Sequence, residues 1–319
     1  MRRIIAVLLL AVLVGLRAGA QQVPDPTFRF ANPSPAYQVG KGPVVCIDEA
    51  HFNFHTAEGR YKSFADLLRG DGYIVQRSKS AFTAESLAAC RVMVIANASS
   101  EQNREDWAYP HVSSFTRDEI VAMFNWIRGG GALLLIADHS PFAGAAADLG
   151  AMLGAAFVDG YVEVNPEGNQ MPDVFSIAAG GLRAHATTKG RSERELVTQV
   201  GTFTGSAFVL SQGFESLLVL PPAATNIFVW RQSLGQTAPP SEEWPRVSVA
   251  GWSQGAARTL GKGRVVILGE AAMCSAQLAG PEKFTMGMNH PKAAQNAQFC
   301  LNTVRWLSGV LAPQEKHAQ

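Results

Sequence analysis

The chain is 319 residues long, 47% hydrophobic and 17% charged, which is ample for a buried core and excludes a disordered protein. Its 27 basic and 26 acidic residues leave a formal charge of +1, which argues against a nucleic-acid binder held by a basic surface. No repeat period, heptad pattern or low-complexity tract is present.

Met1, Arg2 and Arg3 give a basic start, Ile4 to Leu16 a nearly unbroken apolar run, and Ala18, Gly19 and Ala20 a small-residue site. Together they predict a secretory signal peptide over residues 1–20. The apolar run is shorter than the ~20 residues of a spanning helix. No later stretch is long and apolar enough to span a bilayer, so the protein is expected in a bacterial periplasm with no membrane span. The four cysteines permit disulfides in such an oxidising space. Cys46 and Cys90, however, sit in or beside apolar strand-like runs and Cys300 on an apolar helix face, and with Cys274 they are expected to be buried free thiols. No Cys-x-x-Cys occurs, so neither a redox motif nor a cysteine-based zinc site is indicated.

Residues 21–42 are rich in Pro, Gln and Asn and read as an extended N-terminal arm. Pro43–Ile47 reads as a first buried strand. Phe64, Leu67 and Leu68 stand at helical spacing within 61–69, with Gly70 as a stop. Tyr73–Val75 and Arg91–Ala96 read as the second and third strands. Thr116 and Glu119 form a capping box that opens a helix to about Arg128, ended by Gly129, Gly130 and Gly131. Ala132–Ala137 is a fourth strand, apolar throughout, as a strand covered on both faces requires. Ser140 and Pro141 read as N-cap and N1 of a helix reaching Leu153. Between 156 and 246 short β-like pieces stand among Pro, Gly and Thr and read as an insertion. Arg246–Ala250 and Arg264–Leu268 return as strands, and Pro291–Leu307 is a closing helix. This alternation predicts one α/β domain over 43–309 with a tail at 310–319. Its sheet is expected to be doubly wound, mostly parallel and flavodoxin-like, with a β-rich insertion.

In an open α/β sheet, ligands bind beyond the carboxyl ends of the strands. Asp48, Glu49, His51, Asn53 and His55 follow the first strand; Asp138, His139 and Ser140 follow the fourth. Glu270 follows RVVIL, and Asn289 and His290 precede the closing helix. Four of the seven histidines thus fall at one predicted rim. Two chemistries fit. Asp48, His51, His139 and Glu270 are candidate ligands of a divalent ion, zinc or manganese, that activates a water. Without a metal, His139 is a general base oriented by Asp138 or Glu270. Ser140 fits an N-cap better than a nucleophile. The partner predicted for this rim is a small molecule.

The order RVMVIANA, capping-box helix, GGGALLLIADHSPF and GKGRVVILGEAAM with a closing helix resembles the class I glutamine amidotransferase-like fold. Within it the chain looks like the DUF4350-type branch, related to the trehalose-utilisation ThuA-like proteins. The resemblance covers about residues 43–155 and 246–308. Amidotransferases place a nucleophilic Cys at the sharp turn after a central strand; here that turn is Ala137-Asp138-His139-Ser140, without a Cys, and no downstream His-x-Glu pair is evident. The resemblance therefore implies a pocket at 138–140 but not glutamine hydrolysis. Several relatives of this fold are non-catalytic. Two functions follow: an exported hydrolase, metal-assisted or not, of a small polar or carbohydrate-like substrate, or a periplasmic ligand- or protein-binding module. A third, a scaffold of an envelope complex, predicts an exposed apolar patch over Phe203–Trp230.

Overall fold

The structure is a computed structural model that describes residues 22–166, 171–229 and 244–311. The expected signal peptide, Trp230 and residues 312–319 lie outside the described residues. Among the described residues no helix is long and apolar enough to cross a membrane.

The chain forms a mixed α/β fold around a nine-stranded sheet. Its strands are β1 (Val44–Asp48), β2 (Ile74–Ser78), β3 (Val92–Ala96), β4 (Ala132–Ile136), β5 (Ala155–Val158), β6 (Ala207–Leu210), β7 (Glu215–Val219), β8 (Ser253–Leu260) and β9 (Gly263–Leu268). The order is β2-β1-β3-β4-β9-β8-β6-β5, with β7 paired to β8 beside this path. The first five are parallel to their neighbours. The remaining pairings are antiparallel, because β8 and β9 are joined by the tight turn at Gly261-Lys262 and the insertion supplies β5, β6 and β7. Three smaller sheets surround it.

The parallel strands read as continuous apolar runs because both faces are covered. Val45, Ile47, Val94, Leu134 and Val266 face one core, shared with α1 (Lys62–Gly70) and α7 (Asn296–Ser308). Met93, Ile95, Leu133 and Ile267 face the other, shared with α2 (Ala84–Ala88), α3 (Arg117–Gly129) and α5 (Ala147–Leu153). Phe64 and Leu68 of α1 are fully buried, each worth ~1.5–3 kcal/mol. That burial holds α1, whose start has no side-chain cap. α3 does have the predicted capping box, with Thr116 and Glu119 exchanging bonds.

Several details depart from expectation. The helix after β4 is broken into α4 (Phe142–Ala145) and α5. Pro141, not Ser140, holds the N-cap position, and Ser140 Oγ turns away to donate to Asp159 Oδ1 at 2.9 Å. The second strand lies later than predicted, at Ile74–Ser78, where it pairs residue for residue with Val44–Asp48. The closing helix begins at Asn296, after a separate turn of 3₁₀ helix at Pro291–Ala293. His185 caps α6 (Ala186–Lys189), which packs on α7. The Phe203–Trp230 segment shows no contiguous apolar patch among the described residues: Phe203, Phe208, Leu217, Leu218 and Leu220 are buried.

The cysteines are not free thiols. Cys46 of β1 bonds Cys90, just ahead of β3, and Cys274 bonds Cys300 of α7. Strands β1 and β3 are neighbours, and the 272–274 turn packs on α7, so each apolar setting holds two sulfurs rather than one. The N-terminal arm is tied down too. Gln22–Pro24 pairs with Ala276–Ala279, and buried Arg305 donates to Asp71 of the α1 terminus and to the Ser34 carbonyl. A cavity of about 520 Å³ separates part of this arm from α1, lined by Phe28, Arg29, Lys62, Asp66 and Leu67.

Candidate functional site

Because β1, β4 and β9 run parallel, they deliver Asp48, Asp138 and Glu270 to one rim. Leu268 is in register with Ile136, so Asp138 and Glu270 occupy equivalent places two residues beyond neighbouring strands. Both are buried, at 6% and 1% exposure. Glu270 accepts the Ala272 and Met273 N–H groups at 2.7 Å each. Burial, then the charge of Asp138, pushes its carboxyl well above the usual range, against the pull of these N–H groups. Asp138 accepts the N–H groups of His139 and Ala271, while its own N–H donates to Asn97. Tyr61 closes this floor, donating its hydroxyl to the Ala271 carbonyl at 2.9 Å.

The β1 loop divides its polar groups differently. His51 lies between two carboxylates, Nδ1 at 2.8 Å from Asp48 and Nε2 at 2.9 Å from Glu119, with Phe82 and Phe115 against its ring. Desolvation lowers the His51 pKa, but the bonds and charges of Asp48 and then Glu119 outweigh it and raise the balance. Glu119 is pulled down to about 2: burial opposes the shift, and the Thr116 N–H and His51 bonds prevail. Asn53 donates to Asp48 and accepts from the His51 N–H. Glu49 accepts from Ala57 N–H and Arg77. No helix forms here, so His51 and His55 do not share a helical face.

His55 is different. It is only 3% exposed, yet neither ring nitrogen has a hydrogen-bond partner. It lies edge-on to Tyr61 at 4.7 Å and to Phe54 at 5.6 Å. Burial, then Arg60 and His139, hold its pKa well below the ordinary value, so it is a neutral imidazole. Half-buried His139 stacks on Tyr161 at 4.1 Å, and its Nδ1 lies 2.7 Å from the Ser140 carbonyl. A carbonyl only accepts, so Nδ1 carries a proton, and in the neutral ring Nε2 has the lone pair. Trp107 joins the rings, 5.9 Å from His139, 5.7 Å from Phe54 and 5.4 Å from Phe142.

The four proposed metal ligands do not converge. Both nitrogens of His51 and both oxygens of Glu270 are engaged elsewhere. Among the described residues no group of three or more His, Cys, Asp or Glu is placed to hold a metal ion. Ser140 is 1% exposed and bonded to Asp159. Asn289 Nδ2 donates to Asp25 and to the Gln277 carbonyl, and His290 caps the 291–293 turn, so neither joins the rim. The residues that sequence reading missed are Tyr61, Phe54, Trp107, Tyr161, Arg60, Glu119 and the Asp159–His111 pair. The capping box flagged Glu119, but only for one of its two oxygens; Tyr61 stands at the start of α1 and Tyr161 in a three-residue strand, and the others come from loops without periodicity.

No family model matches the chain, and no curated protein is similar to it. Solved structures are. The mmIFT52 N-terminal domain superposes with a TM-score of 0.57 at 13% identity, covering 86% of this chain and 100% of that one. A putative ThuA-like protein from Bacteroides uniformis gives a TM-score of 0.46 at 14% identity, covering 88% of this chain and 94% of that one. A cytoplasmic protein from Salmonella typhimurium gives 0.47 at 14% identity, covering 85% and 100%. The first likeness is one of fold alone.

Proposed function

We propose that the chain is an exported binding protein whose rim takes up a small polar, carbohydrate-like molecule. One observation carries this: His55 is buried with both nitrogens unpartnered, beside His139 with a free Nε2 and a wall of aromatic rings. A buried polar group left without a partner costs ~1–3 kcal/mol, a penalty that a bound ligand removes. A pocket of aromatic rings with a few polar groups is the usual composition of a small-molecule site. The two disulfides support export, since such bonds persist in oxidising compartments. The parallel strand order, second-first-third-fourth-fifth, supports a flavodoxin-like doubly wound core with its site at this rim.

A second reading, metal-free hydrolysis, rests on His139, whose Nδ1 donates to the Ser140 carbonyl and whose Nε2 has no hydrogen bond among the described residues and would act as the base. The test uses residues 21–319 with a panel of sugars in thermal-shift measurements, and p-nitrophenyl glycosides and esters for turnover. Binding lost in both His55→Phe and His139→Ala, with no turnover, is the expected result. Turnover abolished by His139→Ala selects hydrolysis. Stoichiometric zinc or manganese in chelator-free protein, lost in His51→Ala, would overturn both readings in favour of a metal enzyme.

A further inference from the structure

Arg60 is the unexplained charge at this rim. Its guanidinium lies 3.7 Å over the Phe54 ring centroid, and Nη1 donates to the Phe54 carbonyl at 3.2 Å. Its Nε is buried without a partner. Arg77, Arg191 and Arg305, away from this ring cluster, each have a carboxylate, Glu49, Glu195 and Asp71; Arg258, under the Phe214 ring and bonded to the Leu153 carbonyl, is held as Arg60 is. Arg60 has none within ion-pair distance among the described residues; burial alone acts on its pKa, lowering it. A guanidinium set into a partly buried ring cluster without an anion is unfavourable until one arrives.

The surroundings are donors and neutral rings. His55, buried with both nitrogens unpartnered, lies against the same Phe54 ring that carries Arg60. Phe54 links them: it carries Arg60 on its face and meets His55 and Trp107 through its edges, and Trp107 leads on to His139. Of the rim's acidic groups, Asp138 and Glu270 are turned onto backbone N–H groups.

We propose that the rim's ligand carries a carboxylate, taken by Arg60 and an N–H of His55, with a hydroxyl of the same ligand donating to His139 Nε2, so that the ligand class is an acidic sugar of the hexuronate kind. This rests on the binding reading above and narrows it. A planar guanidinium matches a carboxylate, and the His55 N–H adds a hydrogen bond to it.

The test is calorimetric titration of the protein with glucuronate and galacturonate, each beside its neutral partner, glucose and galactose. The acids are expected to bind at least about tenfold tighter than the neutral sugars. Arg60→Gln should lose about tenfold or more on the acids alone, and Arg60→Lys should recover part of it. Should Arg60→Gln not fold, wild-type preference for the acid, weakening with added salt, decides the matter. Equal binding of acid and neutral sugars, unchanged in Arg60→Gln, overturns the carboxylate inference and leaves the sugar site standing. Binding of neither kind overturns both.

Discussion

Replacing His51 by Ala tests whether the buried carboxylates Asp48 and Glu119 are locked together by its ring. In the fold, His51 joins Asp48, which is fully buried, to Glu119, which is 8% exposed. The variant leaves Asp48 with only the Asn53 amide and the Ala50 N–H. Removing one partner from a buried ionic arrangement costs ~3–5 kcal/mol, a third or more of a typical domain's stability. The pH dependence has a definite sign. The folded His51 pKa is raised above 6.5, so its contribution is complete below that value and is lost as pH rises through the folded pKa. Glu119 is lowered from 4.5 to about 2, so its contribution is present above 4.5 and is lost as pH falls toward 2. The gap between wild type and His51→Ala, measured by urea unfolding with disulfides intact, should therefore be widest between about 4.5 and about 6.5 and should narrow on both sides. A gap below ~1 kcal/mol at every pH, the size of an ordinary substitution, would show that His51 is not a charged bridge.

Three further outcomes are expected. Thiol titration of the unfolded, unreduced protein should find none of the four cysteines. Removing the Cys46–Cys90 bond, with a sequence separation of 44, should cost about 4 kcal/mol, and removing Cys274–Cys300, separation 26, about 3.5 kcal/mol in denaturant unfolding. Arg305→Met should destabilise by ~3–5 kcal/mol, because it strands the fully buried Asp71 carboxylate, and Asp71→Asn in the same chain should restore part of the loss.

The parallel half of the sheet was legible because its signal is local. Runs such as ALLLI and RVVIL are apolar at every position, and a strand covered on both faces needs that. Thr116 and Glu119 announced α3 for an equally local reason. Pairings that cross the chain left no such mark. Cys46 looks like one more apolar residue of β1, and only the adjacency of β1 and β3 brings Cys90 to it. The antiparallel half is built largely from the insertion, where strands of three to five residues carry too few positions for alternation to show.

The site was legible in place but not in role, and the histidines show why. His51, His55 and His139 all fall at the rim, as residues following parallel strands should. Their use depends on partners far off in sequence. Glu119, 68 residues from His51, engages the nitrogen that a metal would need. His139 is oriented by its own neighbour's carbonyl, which fixes its tautomer and frees Nε2. His55 meets only rings and the charge of Arg60, so it alone stays buried with nothing to bond. An imidazole engaged at both nitrogens builds the fold; one engaged at neither waits for a ligand. That difference separates His51 from His55 across four residues of one loop, and it is why the proposed ligand site lies at the Arg60, His55 and His139 end of the rim.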